Sequence, residues 1–195
     1  MIFCNMKKTL FVLLFLTVLG FCANAQYNNL YDEPTRSKTI ENWGDIAIPD
    51  NTVFGVRFVL DSARLGGITY EERIEIDPEV KSDFDDMAMR CISAANNIFQ
   101  RSVCRAGTFH FSPKYEGKAY TVTYYIKTVS DYGYTISDVI ISADGKIASI
   151  LNLKGKGGKF GSFANLMGDG FESLGRELAD RIDSAVYYKK IKSAE

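Results

Sequence analysis

The chain has 195 residues, with 23 basic side chains against 24 acidic ones and a formal net charge of −1. A balance this close to neutral gives the chain as a whole no general attraction to nucleic acid or to anionic lipid. The length fits one domain large enough for a real hydrophobic core.

In chain order, residues 1–25 read as an export signal. Lys7 and Lys8 precede the apolar run Thr9–Phe21, and "CANAQ" follows, with Ala23 and Ala25 in the small-residue positions of a cleavage site. The run is shorter than the ~20 apolar residues a membrane-spanning helix needs, so cleavage is expected after Ala25. Met6 is an alternative start. "LGFC", Leu19–Cys22, resembles a lipoprotein box, but Phe21 stands where a small residue belongs; anchoring through Cys22 is the less favoured reading. Beyond the leader no second long apolar run occurs, so no transmembrane segment is expected in the mature chain.

Residues 26–51 form a lead-in without sustained periodicity, punctuated by Pro34, Pro49, Asp50 and Asn51. The single domain is expected over 52–190, with a short tail at 191–195. Thr52–Leu60 alternates as a strand with one apolar face. Ile68–Ile76 alternates too, with Glu72 out of step, and predicts a second strand paired with the first. Asp77 and Pro78 mark a helix start, as a cap and a first-turn proline. Phe84, Met87, Ala88, Cys91, Ala94, Ala95, Ile98 and Phe99 then form one stripe on a helix predicted over 78–103.

Four strands in succession follow: "GTFHF", Ala119–Val129, "TISDVIIS" and "KIASILNL". Asp144-Gly145 signals a two-residue hairpin between the last two. A second helical stripe runs from Phe163 to Val186, firm over 170–190, with Gly168, Asp169 and Gly170 as an expected break. The order β-β-α-β-β-β-β-α predicts an α+β fold: an antiparallel sheet of five to six strands with two long helices on one face.

Few residues carry the patterns of chemistry. The basic, glycine-rich stretch "LKGKGGKFGSF", Leu153–Phe163, invites a phosphate-loop reading. It fails on spacing, because Gly155-Lys156 precedes Gly157, Gly158-Lys159 precedes Phe160, and neither lysine is followed by Ser or Thr. It reads instead as a mobile basic connection, a candidate anion or partner contact. "FESLG", Phe171–Gly175, lacks the first glycine of a serine-hydrolase elbow and falls in a helix. The single histidine, His110, cannot build a multi-histidine zinc site and is expected on an exposed strand face. Asp83, Asp85 and Asp86 lie in an early helical turn, where carboxylates suit the helix dipole. Cys91 and Cys104, thirteen helical positions and so ~20 Å apart, are expected as unpaired buried thiols. Of the clustered tyrosines, half should be core by alternation and half should face outward.

The "CANAQ" cleavage site, the single strand-helix-multistrand-helix domain and "ISADGKIASILN" before a C-terminal helix together resemble uncharacterised secreted domains of Gram-negative gut bacteria with a TBP-like α+β fold. That resemblance is one of layout over residues 52–188 and implies no site residues. The expectation is an exported, periplasmic or envelope protein that acts by binding an envelope protein, a glycan or a lipid, without nucleic acid, cofactor, metal or catalytic residues. Lys156, Lys159, Phe160, Tyr125 and His110 are the candidate contact residues. A carrier of a small apolar ligand, held between the sheet and the C-terminal helix, is the alternative. A hydrolase with an unrecognised site is the third reading.

Overall fold

The computed structural model describes residues 48–102 and 109–192, with side chains as far as residue 186. The expected leader with Cys22, most of the expected lead-in and Cys104 lie outside the described residues. Everything described falls in one compact unit, 38–195.

Strand β1, Thr52–Val59, points Phe54 and Val56 into the core and Val53 and Arg57 outward. It is followed by β2 (Arg64–Leu65) and β3 (Ile68–Thr69), two short strands paired antiparallel through Gly66 and Gly67. Three helices come next: α1 (Tyr70–Ile76), α2 (Glu79–Ser82) and α3 (Phe84–Arg101). Strands β4 (Phe109–Ser112), β5 (Tyr120–Val129), β6 (Thr135–Ala143) and β7 (Lys146–Gly155) lead to α4 (Phe163–Lys192). Among the described residues this makes a mixed α+β unit of seven strands and four helices.

The expected second strand is a helix. Thr69 accepts a hydrogen bond from the Glu72 amide (3.2 Å), and the Glu72 carboxylate accepts one from the Thr69 amide (2.8 Å). This reciprocal cap starts α1. Tyr70 and Ile74, read as alternating, are also four residues apart and half-buried on one helical face. The expected single helix over 78–103 is divided at Asp83 into α2 and α3. Asp77 caps no amide with its side chain; its backbone N–H closes α1 on Arg73 O (2.8 Å), and Pro78 occupies the N-cap position of α2.

The sheet is mixed, not antiparallel. Its order is β3-β2-β5-β1-β4, with β6 added to β5 and β7 to β6. β1 runs parallel to both β4 and β5, and β2 runs parallel to β5. The helical segment between β3 and β4 carries the chain back across the sheet, which is what parallel pairing demands. Only the meander β5-β6-β7 and the short β2-β3 pair are antiparallel. The Asp144-Gly145 hairpin stands as expected, with φ of 48° and 75°, the left-handed values a tight two-residue turn needs.

Both long helices bury a stripe against the same core. α3 contributes Met87, Cys91, Ile92, Ala95 and Phe99, and α4 contributes Met167, Phe171, Leu174, Leu178 and Ile182. α4 is continuous through Gly168 and Gly170, where a break was expected. Between α4 and the sheet, the Phe58 ring is stacked between Tyr124 (4.9 Å) and Phe171 (5.0 Å), with Phe84 edge-on to Phe58 and Phe171. Phe54 and Phe99 pack in the same way on Phe109 and Phe111.

Candidate contact surfaces

The glycine-rich stretch is built into a corner. Gly155 ends β7 against the Gly170 carbonyl of α4, and Gly170 faces the Gly133 carbonyl in the β5–β6 turn. Gly133 lies against Leu166 O, and Gly157 against Tyr132 O. A Cβ at any of these four positions would overlap a backbone oxygen. The glycines at the base of this connection therefore serve close backbone approach among three segments, not the cradling of phosphate. Ser130 holds the turn from inside: its Oγ accepts from the amides of Tyr132 (3.3 Å) and Tyr134 (3.2 Å).

Two arginines brace this corner. Arg73 donates twice to Leu65 O (3.1 and 3.0 Å), stacks over Phe163 (4.3 Å to the ring centre) and lies 3.7 Å from Asp131. Arg90 of α3 pairs with Asp169 and with Glu172 (3.4 Å) of α4, and reaches Asn165 O (3.3 Å). The connection past the corner then runs out into solvent. Lys156, Lys159 and Phe160 are exposed, and Phe160 at 87% is the most exposed large apolar side chain described. Tyr132, whose carbonyl meets Gly157, is 55% exposed.

Tyr125 and His110 lie elsewhere, on the outer face of the sheet. In register with β1, His110 sits opposite Val53 and Tyr125 opposite Val59. Six residues of strand separate them by ~20 Å, so the five candidates do not form one site. His110 is exposed, as expected, with Phe109 and Phe111 buried behind it.

The outer face carries its own arrangement. A bulge after Ile126 sets Lys127 out of the β5–β6 register, and its Nζ pairs with Asp138 at 2.5 Å. Asn152 donates to the same carboxylate at 3.0 Å. Partial burial raises the Asp138 pKa, but Lys127 and Asn152 outweigh it and hold the carboxyl below its ordinary value. Arg57 donates to Thr123 (3.3 Å) and covers the Tyr115 ring (4.4 Å). The β4–β5 connection crosses Gly55 so closely that a Cβ there would stand 2.8 Å from Tyr115 Cα. Ile147 and Ile150 of β7 are 58% and 63% exposed. Sequence alternation placed such residues on a face but did not indicate which of them nothing covers.

Inside the core, Cys91 is a free, buried thiol. It lies beside the Tyr124 hydroxyl, which has no well-formed hydrogen bond. Burial pushes the thiol up to about 12, with Tyr124 opposing weakly. A thiol so raised is a packing group, not a nucleophile. No group of three or more potential metal ligands occurs among the described residues, and no described helix is long and apolar enough to cross a membrane. Comparison with protein-family models, curated proteins and solved structures returns no match.

Proposed function

We propose that this is an exported, non-enzymatic interaction protein whose contact point is the tip beyond the glycine corner, formed by Lys156, Lys159, Phe160 and Tyr132. The observation that carries this reading is Phe160: an aromatic ring 87% exposed on a connection whose base is packed backbone to backbone. Leaving a phenyl ring in water costs about 1.5–3 kcal/mol relative to burying it. A rigid base also lowers the ordering cost of handing that ring to a partner. The TBP-like layout belongs to this proposal as well: a sheet with helices on one face leaves its opposite face and its end loops for contacts.

The carrier reading is the weaker one. The space it needs between sheet and α4 holds the Phe58, Tyr124, Phe171 and Phe84 rings in direct contact. The hydrolase reading would need His110 or a pair of carboxylates converging in a cleft, and His110 faces solvent on the outer sheet face.

Site-specific photo-cross-linking tests the proposal. A photoreactive phenylalanine analogue replaces Phe160 in the mature chain, which is then irradiated with the envelope fraction of its source cells. Adducts at 160 should exceed those from the same analogue at Lys146, an exposed position at the far hairpin. Equal yields at the two positions would sink the proposal.

A further inference from the structure

The sheet has an unfinished end. β7 has one neighbour, β6, and among the described residues no backbone group of β7 has a hydrogen-bond partner on its other side. β4 also has one neighbour, but there Asn96 fills the amide and carbonyl of Phe111. Near its start β7 is interrupted by a bulge, since Ser142 pairs with Ile147 and Ile141 with Ser149. From Ser149 to Gly155 the pairing is regular, so this edge presents the N–H and C=O of alternate residues to solvent. It is also held in place, because Leu151 and Leu153 are buried and Gly155 rests on the Gly170 carbonyl.

We propose that Ser149–Gly155 is a docking edge for an extended acidic segment of a partner protein, added antiparallel as a further strand. This surface lies apart from Phe160, and the inference does not rest on the tip. In strand addition the backbone supplies the affinity, and the side chains that share a face choose the sequence. Ile150, 63% exposed on the outer face, favours an aliphatic residue opposite it. Asn152 spends its amide on Asp138. Lys154 makes no ion pair among the described residues and favours a carboxylate. The whole strand holds two lysines, Lys146 and Lys154, and no acid. A second copy fits this edge less well. Its own β7 would bring the same lysines and no acid. The helix packed beside β7, α4, exposes no large apolar side chain among its described residues for a second copy to bury. Antiparallel addition continues the β5-β6-β7 meander and is the more stable pairing per residue.

The test titrates the purified mature chain with the synthetic peptide acetyl-Thr-Glu-Val-Thr-Val-Ile-Thr-amide, followed by NMR. Aligned antiparallel, its Glu faces Lys154 and its Ile faces Ile150. Shifts should concentrate at β7, and amide exchange there should slow. Replacing the peptide's Glu by Lys should weaken binding roughly fivefold, and Lys154→Glu should reverse that preference, which also shows that the variant is folded. A single N-methyl group on the peptide's central Thr, or on the Val after it, separates strand addition from side-chain attraction. One of the two should abolish binding and the other spare it, because only alternate residues turn their N–H toward β7. No binding at millimolar peptide, equal affinity for the Glu and Lys peptides, or equal effects of the two N-methyl groups overturns the inference. So does a peptide-free dimer in sedimentation that Ile150→Lys dissolves, since a second copy would then occupy the edge. None of these outcomes alters the cross-linking expected at position 160.

Discussion

Asn96 of α3 spans the backbone of Phe111 in β4. Its Nδ2 donates to the Phe111 carbonyl at 3.0 Å, and its Oδ1 accepts from the Phe111 amide at 2.7 Å. The side chain does for β4, the last strand of the sheet path, what a further strand would do: it satisfies the amide and carbonyl of Phe111, a residue in register with Phe54 of β1. Asn96→Ala should cost about 2–3 kcal/mol, since two partly buried backbone groups lose their partners together. Asn96→Asp keeps the acceptor and loses the donor, so it should fall between. Urea denaturation of the three proteins checks the order, and equal stability of all three would refute the strand-mimic role.

Gly133 has φ of 74° and lies against the Leu166 carbonyl. Gly133→Ala therefore meets both a left-handed backbone and a filled space, and should cost about 3 kcal/mol or more. Gly145 has nearly the same φ, 75°, but open space around it. Gly145→Ala should lose only the backbone part, about 1 kcal/mol. Thermal unfolding of the pair separates crowding from conformation; equal losses would mean the corner yields.

Cys91 should resist alkylation in the folded protein. With the thiol at about 12 by burial, almost no thiolate exists at neutral pH, and the sulfur is enclosed. Peptide mapping after iodoacetamide treatment distinguishes it from Cys104. The sign of the pH effect follows. Above the ordinary thiol value of 9.0 the unfolded chain loses this proton and the folded chain keeps it, so stability falls as pH rises from there toward 12. Cys91→Ala should flatten that part of the alkaline slope.

Asp138 behaves in the opposite sense. Its folded pKa lies below the ordinary carboxyl value of 3.8, so its pairing with Lys127 stabilises the fold above that value and is lost as pH falls through the lowered one. Both side chains are about a third or more exposed, and solvent screening keeps the contribution under about 1 kcal/mol. Asp138→Asn should reduce the acid dependence of unfolding below pH ~4 and leave the alkaline limb unchanged. An unchanged acid limb would show that the pair contributes nothing.

What the sequence disclosed was governed by range. The β6–β7 hairpin was legible because both its alternation and its Asp144-Gly145 turn are local signals. The inward stripes of α3 and α4 were legible for the same reason. Tyr70–Ile76 misled because Ile68, Tyr70, Ile74 and Ile76 satisfy period two while Thr69 and Glu72 spell a helix cap, and only the second signal carried the hydrogen bonds. Parallel pairing of β1 with β4 and β5 depends on where three intervening helices return the chain, which no window of residues encodes. Among the candidate contact residues, Lys156, Lys159 and Phe160 share one exposed connection, whereas Tyr125 and His110 lie on the outer sheet face, a separation set by the tertiary fold and not by any local pattern. The glycines were read as freedom, because their partners, the carbonyls of Tyr132, Gly133, Leu166 and Gly170, come from two other segments.

The glycine corner also bears on how the protein can be handled. By composition, residues 155–161 are where an engineer would splice in an epitope tag, a fluorophore or a protease site. Their first half is a joint among a strand, a turn and a helix, and an insertion there would pry all three apart. The Asp144-Gly145 tip, exposed on both residues with nothing near the Gly145 α-carbon's open side, is the position that would accept cargo. Probes placed at that hairpin leave the corner and the Phe160 tip free for whatever they meet.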